Sequence, residues 1–406
     1  MSDVGMVIIG AGMAGARAVI AFRAADYNGP ITLIGEESFL PYDRPPLSKA
    51  AISAEEAPSP ALLLDDDQLR SLGTTFIRNA KALKLDVKAK TVALSTGVSV
   101  TYDKLLIATG AKPRKLNLEG GEHALLLRDF GDAEVLREAF KPNKKVVIIG
   151  GGFIGLELAA SARKLGCDVT LVEAQPRILM RGVPEAIAKT VHEKHIAEGV
   201  KLLTGTGLAK LEKHTVHLAD GRVIAADVII AGIGAAPEVT LATEAGLKID
   251  NGVVCDEHLR TSDTNIYAAG DCCNFPHGHF SGRRTRLEAW RSASDQANTA
   301  VLNMLGGGKV HDSIPWFWSD QFDLTLQIAG MGDQGTKTVT RQLSAESFII
   351  FHLTDEDRLV GASGIGPGNS IARDVRLAEM LIAKNISPNA SDLADANIQL
   401  KTFLKS

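Results

Sequence analysis

The sequence predicts an α/β protein with two parallel-sheet domains of one design, followed by a smaller α+β domain. Three observations support this prediction. A glycine-rich segment preceded by a short apolar run occurs twice, at 6–15 and 145–155. A second segment also occurs twice, at 91–110 and 215–234, and its two copies align without a gap. Beyond residue 320, apolar runs of strand length alternate with polar turns and are followed by a helical stretch.

Each glycine-rich segment carries the fingerprint of a Rossmann-type dinucleotide-binding domain. An apolar strand run leads into GxGxxG, a helical stretch follows, and a second strand run ends in acid. The glycines allow the backbone to approach a pyrophosphate, whose charge the helix N-terminus stabilises. The acid accepts hydrogen bonds from ribose hydroxyls. The fingerprint residues are Gly10, Gly12, Gly15 and Glu36 in the first copy, with Glu37 as the alternative acid, and Gly150, Gly152, Gly155 and Glu173 in the second.

The second repeat closes each domain. Each copy predicts a hairpin with a polar tip, a buried strand and a glycine turn, at Gly110 and at Gly234. We expect each turn to return to the nucleotide of its own domain. The order of the segments nests the second domain in the first. The predicted domains are 1–112 with 241–318, then 113–240, and finally 319–406, where strands are expected near 324–330, 347–353 and 359–363 and a helix at 370–384.

Composition narrows the class of protein. The chain has 406 residues, a formal net charge of -4 and a pI near 6.2, which give no reason to expect nucleic acid or an anionic membrane as partner. It contains no apolar run of transmembrane length and no secretory signal pattern, so we expect a cytoplasmic protein. The four cysteines lack CxxC or metal-ligand spacing, and Cys272 and Cys273 are adjacent. We expect no metal site; a strained vicinal disulfide is the less favoured alternative to two free thiols.

Several further motifs make the sequence similar to a known family. They are Leu40–Lys49, which contains RPPLSK, Leu106–Gly110, Asn265–Cys272, Arg286–Trp290 and Pro315–Gln321. Together with the two fingerprints they resemble the FAD-dependent pyridine nucleotide disulfide oxidoreductase superfamily, and within it the NADH:ferredoxin reductases of oxygenase systems. The resemblance extends over essentially the whole chain. It implies a glutathione-reductase-like fold, an enzyme with FAD and NADH as cofactors, and a monomer or weak dimer.

The resemblance assigns FAD to the first domain. The loop that contains RPPLSK would supply cations to the pyrophosphate and the flavin edge, although a rigid loop with solvated charges is the plain alternative. Asp271 would accept from ribityl hydroxyls, with the N-terminus of a following helix at the flavin; a helix cap is its plain alternative. Asp320 and Gln321 are expected with Trp318 near the flavin ring. The expected FAD residues are Gly10, Gly12, Gly15, Glu36, Arg44, Lys49, Thr109, Gly110, Arg128, Asp271, Trp290 and Trp318.

The nicotinamide nucleotide is assigned to the second domain. Glu157, expected in the first helical turn, would pair with Lys49 beside the flavin, and these two are the candidate catalytic residues. Glu173 favours NADH because a carboxylate repels a 2′-phosphate, while Arg177 and Arg181 leave NADPH open. The expected NAD residues are Gly150, Gly152, Gly155, Glu157, Glu173, Arg181 and Gly234.

The absence of cysteine before residue 167 narrows the chemistry. Disulfide-reducing members of the superfamily carry a redox cysteine pair near the position of Ser38–Lys49. The resemblance therefore implies direct electron transfer to an external [2Fe-2S] ferredoxin. Its expected docking site is the basic run Arg283, Arg284 and Arg286, near Trp318, unless that run is only a solvated face. The alternatives are another acceptor, such as rubredoxin or monodehydroascorbate, or an NADH-sensing interaction protein of the apoptosis-inducing-factor type.

Overall fold

The computed structural model describes residues 4–56 and 58–405. These residues form two compact units. Unit 1 consists of residues 4–43, 60–112 and 236–315, and unit 2 of residues 44–56, 58–59, 113–235 and 316–405. Across the described ranges, none of the helices combines the length and apolar character that crossing a membrane requires.

Runs of consecutive strands are separated by helices along the chain. In chain order the strands are β1 Gly5–Ile9, β2 Ile31–Ile34, β3 Thr74–Ile77, β4 Ala82–Asp86, β5 Thr91–Leu94, β6 Ser99–Ile107, β7 Ala111–Pro113, β8 Lys145–Ile149, β9 Asp168–Glu173, β10 Lys201–Thr204, β11 Leu208–Glu212, β12 Thr215–Leu218, β13 Val223–Ala225, β14 Val228–Ala231, β15 Ala235–Pro237, β16 Val253–Val254, β17 Ile266–Ala268, β18 Cys273–His277, β19 Arg283–Thr285, β20 Trp316–Gln321, β21 Leu324–Gly330, β22 Lys337–Gln342, β23 Phe348–Leu353 and β24 Leu359–Pro367. The helices are α1 Met13–Ala24, α2 Ala50–Ser53, α3 Asp66–Ser71, α4 Phe130–Ala139, α5 Phe153–Lys164, α6 Glu185–Ala197, α7 Thr240–Glu244, α8 Trp290–Met304, α9 Ala372–Ala383 and α10 Ala390–Ala394.

A parallel sheet forms the centre of unit 1. Its strand order is β3-β2-β1-β6, with β17 on the other side of β6, and β6 continues into an antiparallel arm with β5 and β4. All five residues of β1 are buried, as are Leu105, Leu106 and Ile107 at the end of β6. Such continuous apolar runs are typical of strands covered on both faces. Helix α1 buries Ala18, Val19 and Phe22 and packs against α8.

Unit 2 repeats this design. The parallel sheet β10-β9-β8-β14 corresponds to β3-β2-β1-β6, and the antiparallel sheet β11-β12-β13 corresponds to the arm. One difference separates the copies. In unit 1 a single strand of nine residues, β6, belongs to both the arm and the central sheet. In unit 2 two strands take these positions: β13 belongs to the antiparallel sheet and β14 to the parallel sheet.

The C-terminal part of unit 2 is an antiparallel sheet with a helix on it. Its strand order is β20-β21-β24-β23-β22, and α9 packs on β21 and β24. Arg341 of β22 is 2% exposed, and its guanidinium donates to the backbone carbonyls of Leu393, Asp395 and Ile398. The buried cation therefore holds the segment that follows α10 against the sheet.

The structure confirms the predicted fold class, with two Rossmann-type sheets and a C-terminal α+β part. The expected C-terminal elements are present as β21, β23, β24 and α9. The plain alternative for Asp271, a helix cap, was wrong: β18 follows it, and the next α-helix, α8, begins at Trp290. The division into three domains stays a prediction beside the two compact units.

Candidate functional site

The glycine turn of unit 1 is shaped by close backbone contacts. Gly10 has φ +111°, and a Cβ built on it would lie 2.1 Å from the carbonyl oxygen of Ala108. A Cβ on Gly15 would lie 1.9 Å from the carbonyl oxygen of Gly10. The helix α1 then begins beyond Gly12, and no side chain caps its N-terminus. Its first N–H groups therefore remain available to an anion.

The turn of unit 2 has the same geometry. Gly150 has φ +108°, and a Cβ on Gly155 would lie 2.1 Å from the carbonyl oxygen of Gly150. A Cβ on Gly152 would meet nothing within 4 Å among the described residues. Helix α5 begins after Gly152, again without a side-chain cap. Open space at an uncapped helix N-terminus suits a phosphate group.

The acids of the two copies differ in position. Ile34 pairs with Ile9 in unit 1, and Val172 pairs with Ile149 in unit 2, so the register aligns Glu173 with Gly35. The strand β2 ends at Ile34, two residues before Glu36, whereas β9 ends at Glu173 itself. Glu36 is exposed and lies 3.1 Å from the ammonium of Lys81. Glu37 accepts a hydrogen bond from the Tyr42 hydroxyl, at 2.5 Å.

Glu173 is held at the end of β9 by backbone donors. Its Oε2 accepts from the N–H of Gly151 at 2.6 Å, and its Oε1 accepts from the N–H of Gln175 at 2.7 Å. These bonds join the acid to the glycine turn. Arg177 is used internally, because its guanidinium donates to the carbonyls of Leu179 and Val183. The side chain of Arg181 is exposed.

A charged pair lies inside unit 2. The Lys49 ammonium is 2.9 Å from Oε2 of Glu157, whose side chain is 4% exposed. The Ser48 hydroxyl donates to the same oxygen at 2.5 Å. The Ser319 hydroxyl donates to the other oxygen, Oε1, also at 2.5 Å. The pair predicted from the sequence is present, and the carboxylate is satisfied by three donors among the described side chains.

The position of Glu157 on its helix differs from the expectation. It is the fifth residue of α5, beyond the first turn, where the structure has no acidic residue. The helix dipole acts mainly within the first turn, so it does not account for this carboxylate. The three side-chain donors do.

Arg44 and Arg128 lie together in unit 2. The Arg44 guanidinium donates to the carbonyl oxygen of Arg128 at 2.6 Å, and the N–H of Arg128 donates to Asp132 at 2.7 Å. Asp132 also completes a capping box with Asp129 at the start of α4. The helix therefore positions the backbone that Arg44 contacts.

The two glycine turns that end the second repeat carry backbone contacts within their own units. In unit 1 the Thr109 hydroxyl donates to the Glu238 carbonyl at 2.7 Å, and the N–H of Glu238 donates to Gly110. In unit 2 the N–H of Arg114 donates to the carbonyl of Gly234. Gly110 and Gly234 have φ +70° and +96°, which glycine adopts without strain.

The remaining expected cofactor residues lie on separate elements. Asp271 lies between Gly270 and β18, in unit 1. In the same unit the indole N–H of Trp290 donates to Asp43 at 2.6 Å. In unit 2 the rings of Trp316 and Trp318 stack, with centroids 5.4 Å apart.

The basic run is partly committed to contacts within unit 1. Arg284 donates to the carbonyls of Cys255 and Asn274. Arg286 is 11% exposed and pairs with Glu288 at 2.6 Å. Arg283 is exposed.

The cysteines are buried free thiols. Burial raises the pKa of Cys272 to about 11 and raises the pKa of Cys273 well above its usual value. A thiol with a raised pKa carries little thiolate at neutral pH, so these side chains are poor nucleophiles.

Comparison with known proteins agrees with this geometry. The family model described as pyridine nucleotide-disulphide oxidoreductase matches residues 4–297, and the model described as reductase C-terminal matches residues 316–404. The chain belongs to the pyridine nucleotide-disulphide oxidoreductase family.

Three similar proteins illustrate this family. The ferredoxin–NAD(+) reductase component of an anthranilate 1,2-dioxygenase system from Burkholderia cepacia is 37% identical over 418 residues, which cover 100% of both chains. A rubredoxin-NAD(+) reductase from Pseudomonas putida is 41% identical over 332 residues, 80% of this chain and 86% of that one. A chain of the crystal structure of the covalent putidaredoxin reductase–putidaredoxin complex matches with TM-score 0.92 and 31% identity, covering 100% of this chain and 99% of that chain.

Members of this oxidoreductase family use FAD and NAD(H), and the residues present fit both groups. Each unit has a glycine turn, an uncapped helix N-terminus and an acid near the end of the second strand. In unit 2 the space beside Gly152 is open among the described residues. We therefore identify the chain as an FAD-dependent NADH oxidoreductase.

Sequence reasoning missed part of this site. Ser48, Ser319 and His195 extend the contacts of Glu157 and had no expected role. Gln321, expected with Trp318 and Asp320 near the flavin ring, joins Ser319 to His195. The run Trp316–Gln321 places three aromatic residues before three polar ones, so it carries no alternating signal for a strand with two different faces.

Proposed function

We propose that this protein transfers electrons from NADH through bound FAD to a [2Fe-2S] ferredoxin that serves a monooxygenase or dioxygenase system. When bound, FAD accepts two electrons as hydride from NADH and releases them one at a time. The protein's own residues bind and orient the two nucleotides and the partner. An electron donor of this kind works where NADH is available, so a cytoplasmic location belongs to the same proposal.

The observation that carries the proposal is the Lys49–Glu157 ion pair, 2.9 Å between Nζ and Oε2. Lys49 ends the stretch in which disulfide-reducing members of the superfamily have a cysteine pair, and this stretch has no cysteine. A fixed cation there stabilises negative charge on a neighbouring group, but it accepts no electrons. Electrons must therefore leave to an external acceptor.

Each nucleotide has its set of residues in the proposal. The N–H groups at the start of α1 and α5 bind the two pyrophosphates, FAD at α1 and NADH at α5. Lys49 supplies a positive charge at the flavin, and Glu157 fixes its position. The further FAD residues are Gly10, Gly12, Gly15, Glu36, Arg44, Thr109, Gly110, Arg128, Asp271, Trp290 and Trp318, and the NAD residues are Gly150, Gly152, Gly155, Glu157, Glu173, Arg181 and Gly234.

The nucleotide preference follows from Glu173. Its carboxylate is held by two backbone N–H groups, so a 2′-phosphate would meet a fixed negative charge. Arg177 is committed to carbonyl groups of its own loop, which leaves the exposed Arg181 as the nearer candidate for a phosphate contact. We therefore propose NADH as the preferred donor.

The ferredoxin would dock through positive charge and an aromatic surface. Ferredoxins are generally acidic, so a basic patch speeds their encounter with the reductase. Within the basic run, Arg283 and Arg284 are exposed, whereas Arg286 is 11% exposed and pairs with Glu288. Arg283, Arg284, Arg286 and Trp318 remain the proposed docking residues.

A second acceptor is favoured by one observation, the 41% identity to a rubredoxin-NAD(+) reductase. Both acceptors are small iron proteins that take one electron, so the same site could serve either. The choice between them needs a direct assay.

The test is steady-state cytochrome c reduction with NADH and with NADPH, alone and with a panel of [2Fe-2S] ferredoxins and rubredoxins. The proposal expects turnover with NADH to rise strongly with one ferredoxin. Stimulation by a rubredoxin alone would establish the second candidate. Fast NADH oxidation that no iron protein stimulates would contradict both.

A further inference from the structure

The contacts of Glu157 continue into the interior of unit 2. Ser319, which donates to Oε1 of Glu157, accepts a hydrogen bond from the side-chain amide of Gln321 at 2.8 Å. The amide oxygen of Gln321 is 3.0 Å from Nε2 of His195 on α6. Ser319 and His195 are 0% exposed and Gln321 is 1% exposed. A buried chain of side chains therefore runs from α6 through β20 to the ion pair.

The strand β20 explains how two of these side chains reach the interior. Successive side chains on a strand point to opposite faces, so Phe317, Ser319 and Gln321 share one face. That face is in contact with α5, where Phe317 packs against Phe153 at 4.6 Å between ring centroids. The stacked Trp316 and Trp318 are on the other face. The polar positions of β20 are therefore internal because of the strand period.

The chain of hydrogen bonds has a direction. Glu157 is an acceptor, so Ser319 must donate its only proton to it. Ser319 can then accept from Gln321 only if the amide nitrogen faces it. This places the amide oxygen toward His195, whose Nε2 must carry the proton. In the opposite orientation Gln321 would accept from Ser319, and Glu157 would lose that donor.

The second nitrogen of His195 supports this direction. Among the described residues, Nδ1 of His195 has no hydrogen-bond partner. With the proton on Nε2, this buried atom is an unpaired acceptor; with the tautomer reversed, it would be an unpaired donor and Gln321 would also have to turn. Burial lowers the pKa of His195 to about 4, so the ring is neutral at physiological pH and one tautomer dominates.

Other residues of the same hairpin attach it to α6, so Ser319, Gln321 and His195 are not needed for that structural role. Phe322 packs on the His195 ring at 4.9 Å, and Asp323 pairs with Lys194 at 2.7 Å. These contacts attach the β20–β21 turn to α6 without touching Glu157. Attachment of the hairpin therefore does not require the polar chain that ends on the carboxylate.

We propose that Ser319, Gln321 and His195 are positioning residues that orient the Glu157 carboxylate and, through it, the Lys49 ammonium beside the bound flavin. The inference rests on the proposed function, because it needs FAD to lie next to Lys49. With Oε1 held by Ser319, Oε2 is directed to Lys49. Loss of the chain leaves Oε1 without its donor, so the carboxylate is held only through Oε2, by Ser48 and Lys49, and can turn. The Lys49 ammonium then loses its fixed position.

The test is the midpoint potential of the bound flavin, measured by anaerobic dithionite titration against a reference dye. This readout does not depend on NADH or on any iron protein. Ser319→Ala, Gln321→Leu and His195→Leu should each lower the potential, because reduced flavin loses a fixed positive neighbour. The expected size is about a tenfold fall in the ratio of reduced to oxidised flavin at fixed potential, which is about 30 mV for two electrons.

Two matched variants separate positioning from attachment. Asp323→Asn weakens the same hairpin contact to α6 and should leave the potential unchanged. His195→Gln retains an N–H donor toward Gln321 and should restore most of the potential lost in His195→Leu. A lowered potential in Asp323→Asn equal to that in Ser319→Ala would overturn the inference.

The double variant tests the route through Ser319. In the Ser319→Ala background, His195→Leu should cause no further change, because the chain is already broken. A further fall would show that His195 acts by another path and would overturn the inference. Lys49→Met shows whether a negative result concerns only the positioning residues or also the placement of Lys49 at the flavin. If it lowers the potential while Ser319→Ala does not, only this inference fails; if it has no effect, the placement of Lys49 at the flavin fails as well.

Discussion

Glu173 is the residue on which discrimination between NADH and NADPH is expected to depend. Glu173→Gln removes the negative charge and keeps one acceptor for the Gly151 N–H. We expect kcat/KM with NADPH to rise relative to NADH by about tenfold, equivalent to about 1.4 kcal/mol of transition-state binding. Steady-state kinetics with both nucleotides measure the ratio. An unchanged ratio would mean that another group rejects the 2′-phosphate.

Gly152 and Gly155 test whether the glycine turn of unit 2 leaves space for the pyrophosphate of NADH. Gly152→Ala places a Cβ where nothing lies within 4 Å, so the fold should tolerate it, but the methyl group occupies the space proposed for the pyrophosphate. We expect KM for NADH to rise about tenfold or more, with little change in Tm. Thermal unfolding and steady-state kinetics on one preparation separate the two effects.

Gly155→Ala is the matched comparison. Its Cβ would lie 2.1 Å from the carbonyl oxygen of Gly150, so the backbone of the turn must move. Overpacking of this kind costs about 1 to 3 kcal/mol, and we expect a lower Tm in addition to weaker NADH binding. Equal Tm values for the two variants would contradict the contacts described for the turn.

The sequence predicted those single residues that no other residue type can replace. The fingerprint glycines were found because only glycine fits the φ of +111° and +108° at Gly10 and Gly150. The Lys49–Glu157 pair came from the resemblance, since 108 positions separate the two residues and no local pattern joins them. Ser319 and His195 were missed because single polar residues carry no spacing signal until the fold brings them together.

In the C-terminal sheet, the contacts of Arg341 are expected to hold the segment 390–398 in place. Arg341 lies near Asp374 and donates to four backbone carbonyls at the end of α10 and just after it, those of Leu393, Asp395, Ala396 and Ile398. Arg341→Met retains much of the side-chain volume but leaves these carbonyls without their donor. Removing one partner of a buried charged group costs about 3 to 5 kcal/mol. We expect the segment 390–398 to become sensitive to limited proteolysis at native temperature.

Arg341→Lys is the informative control for that variant. Lysine keeps the charge but is a point donor and cannot contact several carbonyls spread along a segment. It should therefore be intermediate in protease sensitivity. Resistance equal to the unsubstituted protein in both variants would show that the guanidinium contacts do not hold the segment.

Element type was more predictable than the connections between elements. Runs such as Val146–Ile149 and Val228–Ala231 were recognised because buried parallel strands are continuously apolar. The helix-cap alternative for Asp271 was wrong because Cys273–His277 is a strand that pairs with Arg283–Thr285 as a hairpin. The polar residues of Asp271–Asn274 suit a helix cap, and nothing in that short stretch indicates the strand that pairs with it.

Buried histidines link the stability of the whole molecule to pH. Burial lowers the pKa of His195, His277 and His352 to about 4 and that of His311 to about 3. In the unfolded chain these groups titrate near about 6.5, so below that pH the unfolded state binds more protons. Stability should therefore be constant above about pH 6.5 and fall by about 1.4 kcal/mol per pH unit per histidine between about pH 6 and 4.

Thermal unfolding across that range measures this dependence. His277 and His311 lie in unit 1, and His195 and His352 lie in unit 2, so both units should lose stability on acidification. His311→Gln, which cannot be protonated, should reduce the slope of stability against pH. A stability that rises as pH falls from about 6 to 4 would contradict the buried, neutral state of these rings.

Electron transfer from NADH through FAD to a ferredoxin can be observed directly. The purified flavoprotein is reduced anaerobically with one equivalent of NADH and mixed in a stopped-flow instrument with oxidised [2Fe-2S] ferredoxins, while both absorbance changes are followed. We expect that with one ferredoxin the flavin is reoxidised as the ferredoxin is reduced. The rate should rise with ferredoxin concentration and fall with ionic strength. Flavin that stays reduced with every ferredoxin would contradict the account.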